Sequence, residues 1–383
     1  MGLLQDYRLA ARDASRPVGA LLLEALKLRF SVTRLGLSEY LDFQLYRNDL
    51  SEREKRAFGG YRLQSVLEEI LVDDYSRFIS VDKVTMYAVL GGHGFSIPEV
   101  RAVYGAIRPH TRRCLQTPAD LESFLRIPGN LPVYVKPAFG AFGRGNMLIR
   151  EIVGDNVLLG DGTSMSITDL AGTLDNGKAL GWIFQQPLVP HHAIRELTHS
   201  DKISGLRIHT FLAPDRTEII RAIFKINVGK RDSDNFSHGR SGNMLAAIDI
   251  ATGKVQRVVS GIGVSQRIDP PHPQSGRSMV GFEIPYWRQV VEMVREAQAA
   301  FHGYICPGWD IAVCDDGPRI LEVNAFGDID LSQHACRTGF VDSQFMSLMR
   351  ERGLDNLLYS GPGRSRRSPR NHRLGVRKHH WAW

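Results

Sequence analysis

The chain has 383 residues, of which 43% are hydrophobic and 23% charged, with a formal net charge of +7 at pH 7. This composition is ordinary for a globular protein with one large core or two to three smaller ones, and it excludes disordered and fibrous classes. No apolar run approaches the roughly 20 residues needed to cross a bilayer. Charges interspersed over Met1 to Arg16 argue against a signal peptide, so cytoplasmic residence is the default expectation.

The positive charge is not evenly spread. Residues 361–383 (GPGRSRRSPRNHRLGVRKHHWAW) carry seven of the 48 Lys and Arg and no acid, which leaves 41 basic against 41 acidic residues in the body. A Gly/Pro/Ser/Arg-rich start without apolar period predicts a flexible tail. Such a tail could touch nucleic acid, anionic lipid headgroups or an acidic partner through charge, or serve solubility alone. Its closing His-His-Trp-Ala-Trp is unusual there and could dock. The four cysteines (Cys114, Cys306, Cys314, Cys336) form no CxxC pair and flank no histidines at zinc spacing, so they read as reduced, mostly buried thiols.

Residues 1–78 read as an all-α lead-in. Leu21, Leu22, Leu26 and Phe30 recur at helical spacing, Ser51 and Glu54 have the form of a capping box, and Tyr40, Phe43, Tyr46, Phe58 and Tyr61 are assigned to packing. Ser80 to Lys83 then opens a helix towards Gly91, and αβ alternation begins with a strand at about 99–104. Leu131 to Lys136 (LPVYVK) is a β-branched, aromatic strand that meets Pro137 and a glycine-rich stretch to Asn146, followed by a second strand, MLIREI. Strand, glycine loop, strand is not the order of a Walker P-loop, and no GxGxxG occurs. Residues 157–186 give a short strand with a Gly-Asp-Gly turn, a helix, and a strand from Trp182 to Gln186 that Pro187 ends. Alternating segments from 203 to 261 form an antiparallel meander. Residues 286–301 form an amphipathic helix with Val290, Val291, Val294, Ala297 and Phe301 on one face.

The most informative stretch runs from Trp309 to Gln333 (WDIAVCDDGPRILEVNAFGDIDLSQ). An Asp-Asp-Gly-Pro turn at 315–318 between two apolar runs predicts a β-hairpin. Glu322 and Asn324, two apart on one strand, leave the same face, and Asp310 on the partner strand can meet them. Two carboxylates and an amide oxygen are hard ligands of the kind magnesium takes while keeping waters and binding substrate phosphates. The alternative is a solvated hairpin with polar edges.

Other residues bear on the same chemistry. Lys136 stands at a strand end before Gly140, Gly143 and Gly145, where a lysine can reach nucleotide phosphates while the loop's N–H groups fold over them; the alternative is a turn with a solvent lysine. Lys83 opens a helix and would ordinarily be solvated. Gln185 to Leu188 breaks a strand at Pro187, leaving free backbone groups of the sort that read an adenine edge. Arg207, Arg221 and Lys225 sit mid-strand, where burial is costly unless an anion meets the charge, and exposure on a solvent face is the alternative. Asp234-Asn235 with His238 to Asn243 makes a second polar glycine-containing loop. His272, Pro273 and Trp287 are further candidates to line a site, whereas His191, His192 and His209 have no evident partner.

Taken in order, Asp82-Lys83, VKP with a glycine loop, FQQP, LRIHT, DN with a glycine loop, GWDIAV and ILEVN resemble the ATP-grasp superfamily. Over roughly residues 79–335 they are similar to its sugar-transfer-associated branch, the GWD/LEVN pair and the His-Pro before IPYW being the more specific elements. The resemblance implies an α+β fold in which two subdomains clasp ATP, with domains at 1–78 (helical), 79–360 (ATP-grasp) and 361–383 (basic tail). It implies Lys83 and Lys136 on the phosphates, the 140–146 loop as a lid, and Gln185, Gln186 and Leu188 at the adenine. Asp310, Glu322 and Asn324 would hold Mg2+, and Arg207, Lys225 and Arg240 would face the transferred phosphate and the acceptor. Two departures concern the acceptor side. Lys225 and Gly239-Arg240 stand where relatives tend to have an arginine and paired glycines, and a lysine lacks the bidentate fork of an arginine.

The activity so implied is magnesium-dependent ligation of a carboxylate to an amine or thiol through an acyl phosphate with ADP release, on a cell-surface sugar, a peptide or a small natural product. Phosphoryl transfer asks for positioning and charge stabilisation, which lysines, arginines and metal supply without a side-chain nucleophile. A kinase acting on a hydroxyl and a non-catalytic ATP-binding interaction protein are the alternatives.

Overall fold

The computed structural model describes residues 2–73, 76–105, 114–139, 145–175, 181–229 and 233–360. The expected tail at 361–383, and Gly140 and Gly143 of the glycine loop, lie outside the described residues.

The chain opens with helices α1 (Leu3–Ala14), α2 (Val18–Arg29), α3 (Leu37–Asp42), α4 (Glu52–Lys55), α5 (Tyr61–Leu71) and α6 (Arg77–Val81). The Ser51–Glu54 capping box forms as expected: the Ser51 amide donates to the Glu54 carboxylate at 2.7 Å and the Glu54 amide to the Ser51 hydroxyl at 3.3 Å. A cap of this kind contributes about 1 kcal/mol. Tyr7, Leu21, Tyr40, Tyr46 and Phe58 form a separate small core. Glu24 ties this layer together, accepting from Lys55 at 2.6 Å, Arg16 at 2.8 Å and Tyr40 at 2.9 Å. Tyr61, expected in the packing, is 64% exposed. It is the first residue of α5, where its side chain projects from the helix end rather than along the buried stripe of Leu63, Val66 and Leu67.

Helix α7 (Lys83–Gly92) follows, and then the first sheet: β1 (Val100–Tyr104), β2 (Cys114–Leu115), β3 (Val133–Pro137), β4 (Met147–Val153), β5 (Asn156–Leu159), β6 (Ser164–Ser166) and β7 (Trp182–Gln185), in the order β2-β1-β7-β3-β4-β5-β6. Its pairs are antiparallel except β1 with β2. Two helices, α8 (Pro118–Leu125) and α9 (Ile167–Asp175), cover one face with Leu121, Phe124, Leu170 and Leu174, meeting Val133, Val135, Ile149 and Phe184 from the strands.

After α10 (His192–Thr198) comes the second sheet: β8 (Gly205–Leu212), β9 (Thr217–Ile226), β10 (Met244–Ile248), β11 (Val255–Ser260), β12 (Arg267–Ile268), β13 (Gly308–Cys314) and β14 (Gly317–Asn324), in the order β12-β11-β10-β9-β8-β13-β14. Every pair in it is antiparallel, so the expected meander and hairpin both form. Alternation sorts its residues. Leu206, Ile208, Phe224, Trp309 and Ile311 join the large core with α7 and α11 (Trp287–Ala300), whose Val290, Val294 and Ala297 are buried. The opposite face carries Ile223, Leu245 and Ala247 against α12 (Ile329–Cys336). It also carries Arg207, His209, Lys225, Asp310 and Glu322, as the strand register requires. The chain ends, within the described residues, in α13 (Ser343–Glu351) and α14 (Leu357–Ser360).

The hairpin turn is tighter than expected. Cys314 pairs with Gly317 and Val313 with Pro318, so only Asp315 and Asp316 lie between the strands. Gly317 takes φ 115°, open to glycine, and Pro318 is accommodated because β14 is an edge strand. The helical layer is pinned beside this sheet. The Gln333 side chain of α12 accepts from the Gly59 amide at 3.0 Å and donates to its carbonyl at 2.7 Å. All four cysteines are free thiols. Among the described residues no helix is long and apolar enough to cross a membrane.

Candidate functional site

A cavity of about 250 Å³ lies between the two sheets. Tyr134, Lys136, Leu148 and Gln185 reach it from the first sheet, and Lys225, Asp310, Leu321 and Glu322 from the second. Its lining holds four lysines (Lys83, Lys136, Lys202, Lys225) and four carboxylates (Asp201, Asp234, Asp310, Glu322), a balance that leaves a polyphosphate in need of further positive charge.

Lys83 enters because Asp82 caps α7, its carboxylate accepting from the Val84 amide at 3.1 Å and the Thr85 hydroxyl at 2.6 Å. Lys83 is 6% exposed, and its ammonium lies 3.1 Å from Glu322. Its backbone amide donates to the Ala138 carbonyl at 3.0 Å, and Asp82 bridges Phe139, so α7 is tied to the end of β3. Lys136, on that strand, donates to the Tyr87 hydroxyl at 2.8 Å, which donates to the Leu321 carbonyl at 2.5 Å. Burial pushes the Lys136 ammonium down to about 8, against the pull of Glu322 and Asp310. Both lysines are therefore buried rather than solvated.

The register pairs Asp310 with Glu322 and Gly308 with Asn324, as the sequence pattern requires. Asp310 is gripped by Arg207, with Nε at 2.6 Å and Nη2 at 3.0 Å, and by Lys225 at 3.3 Å. Burial alone would raise the Asp310 carboxyl, but Arg207 and Lys225 hold it well below the usual carboxylate range. Lys225 also reaches Asp234 at 3.2 Å, and Asp234 accepts from the Gly205 amide at 3.0 Å. Arg207 does not itself line the cavity. Asn324 stands one strand step beyond Glu322, and its amide nitrogen donates to the Gly308 carbonyl at 3.3 Å, which leaves the side-chain oxygen as its ligand atom. Asp310 and Glu322 line the cavity and Asn324 does not, so two of the three expected oxygen donors face it, and their chemistry suits magnesium.

Other expectations resolve differently. Gln185, Gln186 and Leu188 all line the cavity, and the Gln185 Nε2 is buried without a well-formed hydrogen bond. The Gln186 amide, however, is not free: it donates to the Glu99 carbonyl at 2.9 Å, because the chain past β7 still runs beside the entry to β1. Gly145 takes φ 80° outside the lining, and its neighbour Asn146 lines the cavity instead. Arg240 is exposed on the loop after Phe236 and does not reach the cavity. Arg221 shares the face of Lys225 but is spent on Asp342 at 2.7 Å and the Gly339 carbonyl at 2.9 Å, a packing role. His272 is fully buried with Nε2 3.2 Å from the Asn227 carbonyl, and Trp287 donates to the Ile250 carbonyl at 2.9 Å; neither lines the cavity, nor does Pro273. His192, left without a partner by the sequence, meets Asp315 at 2.8 Å on the hairpin turn.

Tyr87, Tyr134, Lys202 and Leu321 were not singled out. Tyr87 had a signal, since it follows Lys83 by four positions and shares its helix face. Tyr134 and Leu321 are recognisable only once the sheets face each other.

The family described as sugar-transfer associated ATP-grasp matches residues 70–345, and this chain belongs to it. ATP and Mg2+ are the nucleotide and cation typical of that family. Curated proteins give no match. Among solved structures the chain resembles a D-alanine–D-alanine ligase from Bacillus anthracis, with 12% identity and a TM-score of 0.40 over 79% of this chain and 74% of that one. It also resembles an N5-carboxyaminoimidazole synthase from Aspergillus clavatus, with 13% identity and a TM-score of 0.38 over 69% and 50%. A third is an L-amino acid ligase from Bacillus licheniformis, with 13% identity and a TM-score of 0.35 over 67% and 43%. The chain thus spans half or less of the length of the latter two.

Proposed function

We propose that this protein is a magnesium-dependent, ADP-forming ligase that joins a carboxylate to an amine or thiol through an acyl phosphate. Its substrate would be a sugar, a peptide or a small natural product. The observation that carries the proposal is the meeting of Lys83, Lys136 and Lys225 with Asp310 and Glu322 in one cavity between two sheets. In this reading residues 79–360 form the catalytic unit, 1–78 a supporting layer and 361–383 an appendage.

Lys83 and Lys136 bind the nucleotide phosphates, and Gln185, Gln186 and Leu188 bind the adenine. Gly145, at φ 80°, takes a conformation open to glycine beside Asn146, which lines the cavity. Asp310, Glu322 and Asn324 would hold Mg2+, which would supply charge neutralisation for the polyphosphate. Lys225 stabilises the charge of the phosphoryl group in flight, and Arg207, expected to face it, acts from outside the cavity by positioning Asp310. A carboxylate oxygen of the acid forms a bond to the γ-phosphorus, the bond to the β,γ-bridging oxygen breaks, and ADP leaves. The amine then attacks the acyl carbon, phosphate departs, and a proton passes from the attacking nitrogen to solvent. Lys225, where an arginine fork would grip two oxygens, offers a point charge and so leaves room for a differently shaped acid.

Hydroxylamine trapping tests this reading. Incubation with ATP, Mg2+ and pooled amino acids, peptides and uronic acids is expected to give hydroxamate and ADP together for one pool. ADP with a stable phosphorylated product and no hydroxamate would establish a kinase instead.

A further inference from the structure

We propose that the outward face of α1 and α2 is a docking surface for an anionic lipid bilayer. Helix α2 is apolar on two sides. Its inner side, Leu21, Ala25 and Leu28, is buried in the small helical core. Its outer side presents Leu23 at 58% exposure and Leu26 at 42%, and Phe30, the residue that caps its C-terminus, is 86% exposed. These recur at helical spacing, and α1, joined to α2 by only three residues, adds Leu3 at 42% and Leu4 at 55%. A helix apolar on both sides is ordinarily enclosed, and a group of exposed leucines with a phenylalanine marks an interaction site.

Charge decides the occupant. Residues 1–34 hold six Lys and Arg and three acids. Two of the acids are neutralised within the layer, Glu24 by Lys55 and Arg16 and Asp13 by Arg47 at 3.0 Å, and Asp6 is half-buried. Arg8, Arg12 and Lys27 are exposed and make no ion pair among the described residues. Leucine and phenylalanine bordered by unpaired cations is the chemistry of a helix lying in a headgroup region, where apolar burial and attraction to acidic lipids add. A second copy of the same face would bring like charges together instead.

The test is co-sedimentation of the full chain with vesicles of phosphatidylcholine alone or with roughly 30% phosphatidylglycerol, at about 0.15 M salt. The protein is expected to bind the acidic vesicles and not the neutral ones. Leu23→Gln combined with Phe30→Gln is expected to lower the bound fraction about tenfold with an unchanged melting temperature. Should that variant melt early, Arg8→Gln with Arg12→Gln and Lys27→Gln reads the same surface through charge. In a chain lacking residues 361–383 the face substitutions are expected to reduce binding by the same factor. Failure of the full chain to sediment, binding insensitive to both sets of face substitutions, or a dimer in solution dissolved by Phe30→Gln without vesicle binding would each overturn the proposal.

Discussion

Asp310 lies directly across the strand pair from Glu322, yet its two oxygens are held by Arg207 on the other neighbouring strand, at 2.6 and 3.0 Å. One carboxylate therefore serves two purposes, anchoring a buried guanidinium and offering an oxygen to the cavity. Glu322 has the lighter structural load, a contact with Lys83 at 3.1 Å and a side chain 27% exposed.

This asymmetry separates two substitutions. Glu322→Ala is expected to abolish ATP turnover while the circular dichroism spectrum stays that of the parent. Asp310→Ala strands Arg207 and is expected to lose about 3–5 kcal/mol of stability as well as activity. Urea unfolding beside an ADP-release assay checks both, and wild-type turnover in Glu322→Ala would remove the metal assignment.

Acid stability follows from the same pair. The Asp310 carboxyl titrates below the usual carboxylate range in the folded chain, so the unfolded chain takes up its proton first as pH falls. The stabilisation is complete above the ordinary carboxylate pKa of about 4 and is lost on acidification towards the depressed value. In Asp310→Asn the fall in stability below about pH 4 is expected to be shallower, as chemical unfolding at several pH values will reveal.

Lys136 gives a signal on the alkaline side. Its ammonium, pushed down to about 8, is increasingly neutral above that pH, so ATP affinity is expected to weaken as pH rises through 8. The unfolded chain keeps this proton up to about 10.4, so stability itself gains with pH across that window, the opposite sign to affinity. Lys136→Arg is expected to remove the alkaline loss of binding. Nucleotide titration at several pH values distinguishes this from a profile with no break.

Lys225→Met is expected to lower kcat by about 100-fold or more while the KM for ATP changes little, because a charge facing the moving phosphoryl acts mostly in the transition state. A change confined to KM would instead assign Lys225 to nucleotide binding.

Removal of residues 361–383 is expected to leave ATP turnover in solution unchanged. A large loss of turnover would show that this segment reaches the catalytic body.

Much of this arrangement was legible in the sequence, and the reasons it was partial are physical. The hairpin register could be read because its turn and its two-residue side-chain period both act locally. The capping box was legible for the same reason. Arg207 and Arg221 were indistinguishable, since both are mid-strand cations on one sheet face and only the approach of Asp342 from α13 tells the second apart. Arg240 resembled a site residue because its loop follows Asp234-Asn235, but the chain turns at Ser237 and His238, with φ of 50° and 51°, and carries it outward. The neutral partner of Lys136 was missed because Tyr87 meets it across a distance of 49 residues in the chain.

The bond from the Lys83 amide to the Ala138 carbonyl joins the helix that rests on β14 to the strand that carries Lys136. It works as a rivet between them. Because it is made of main-chain atoms, substitutions at Lys83 or Lys136 remove a charge without removing the link between the two elements.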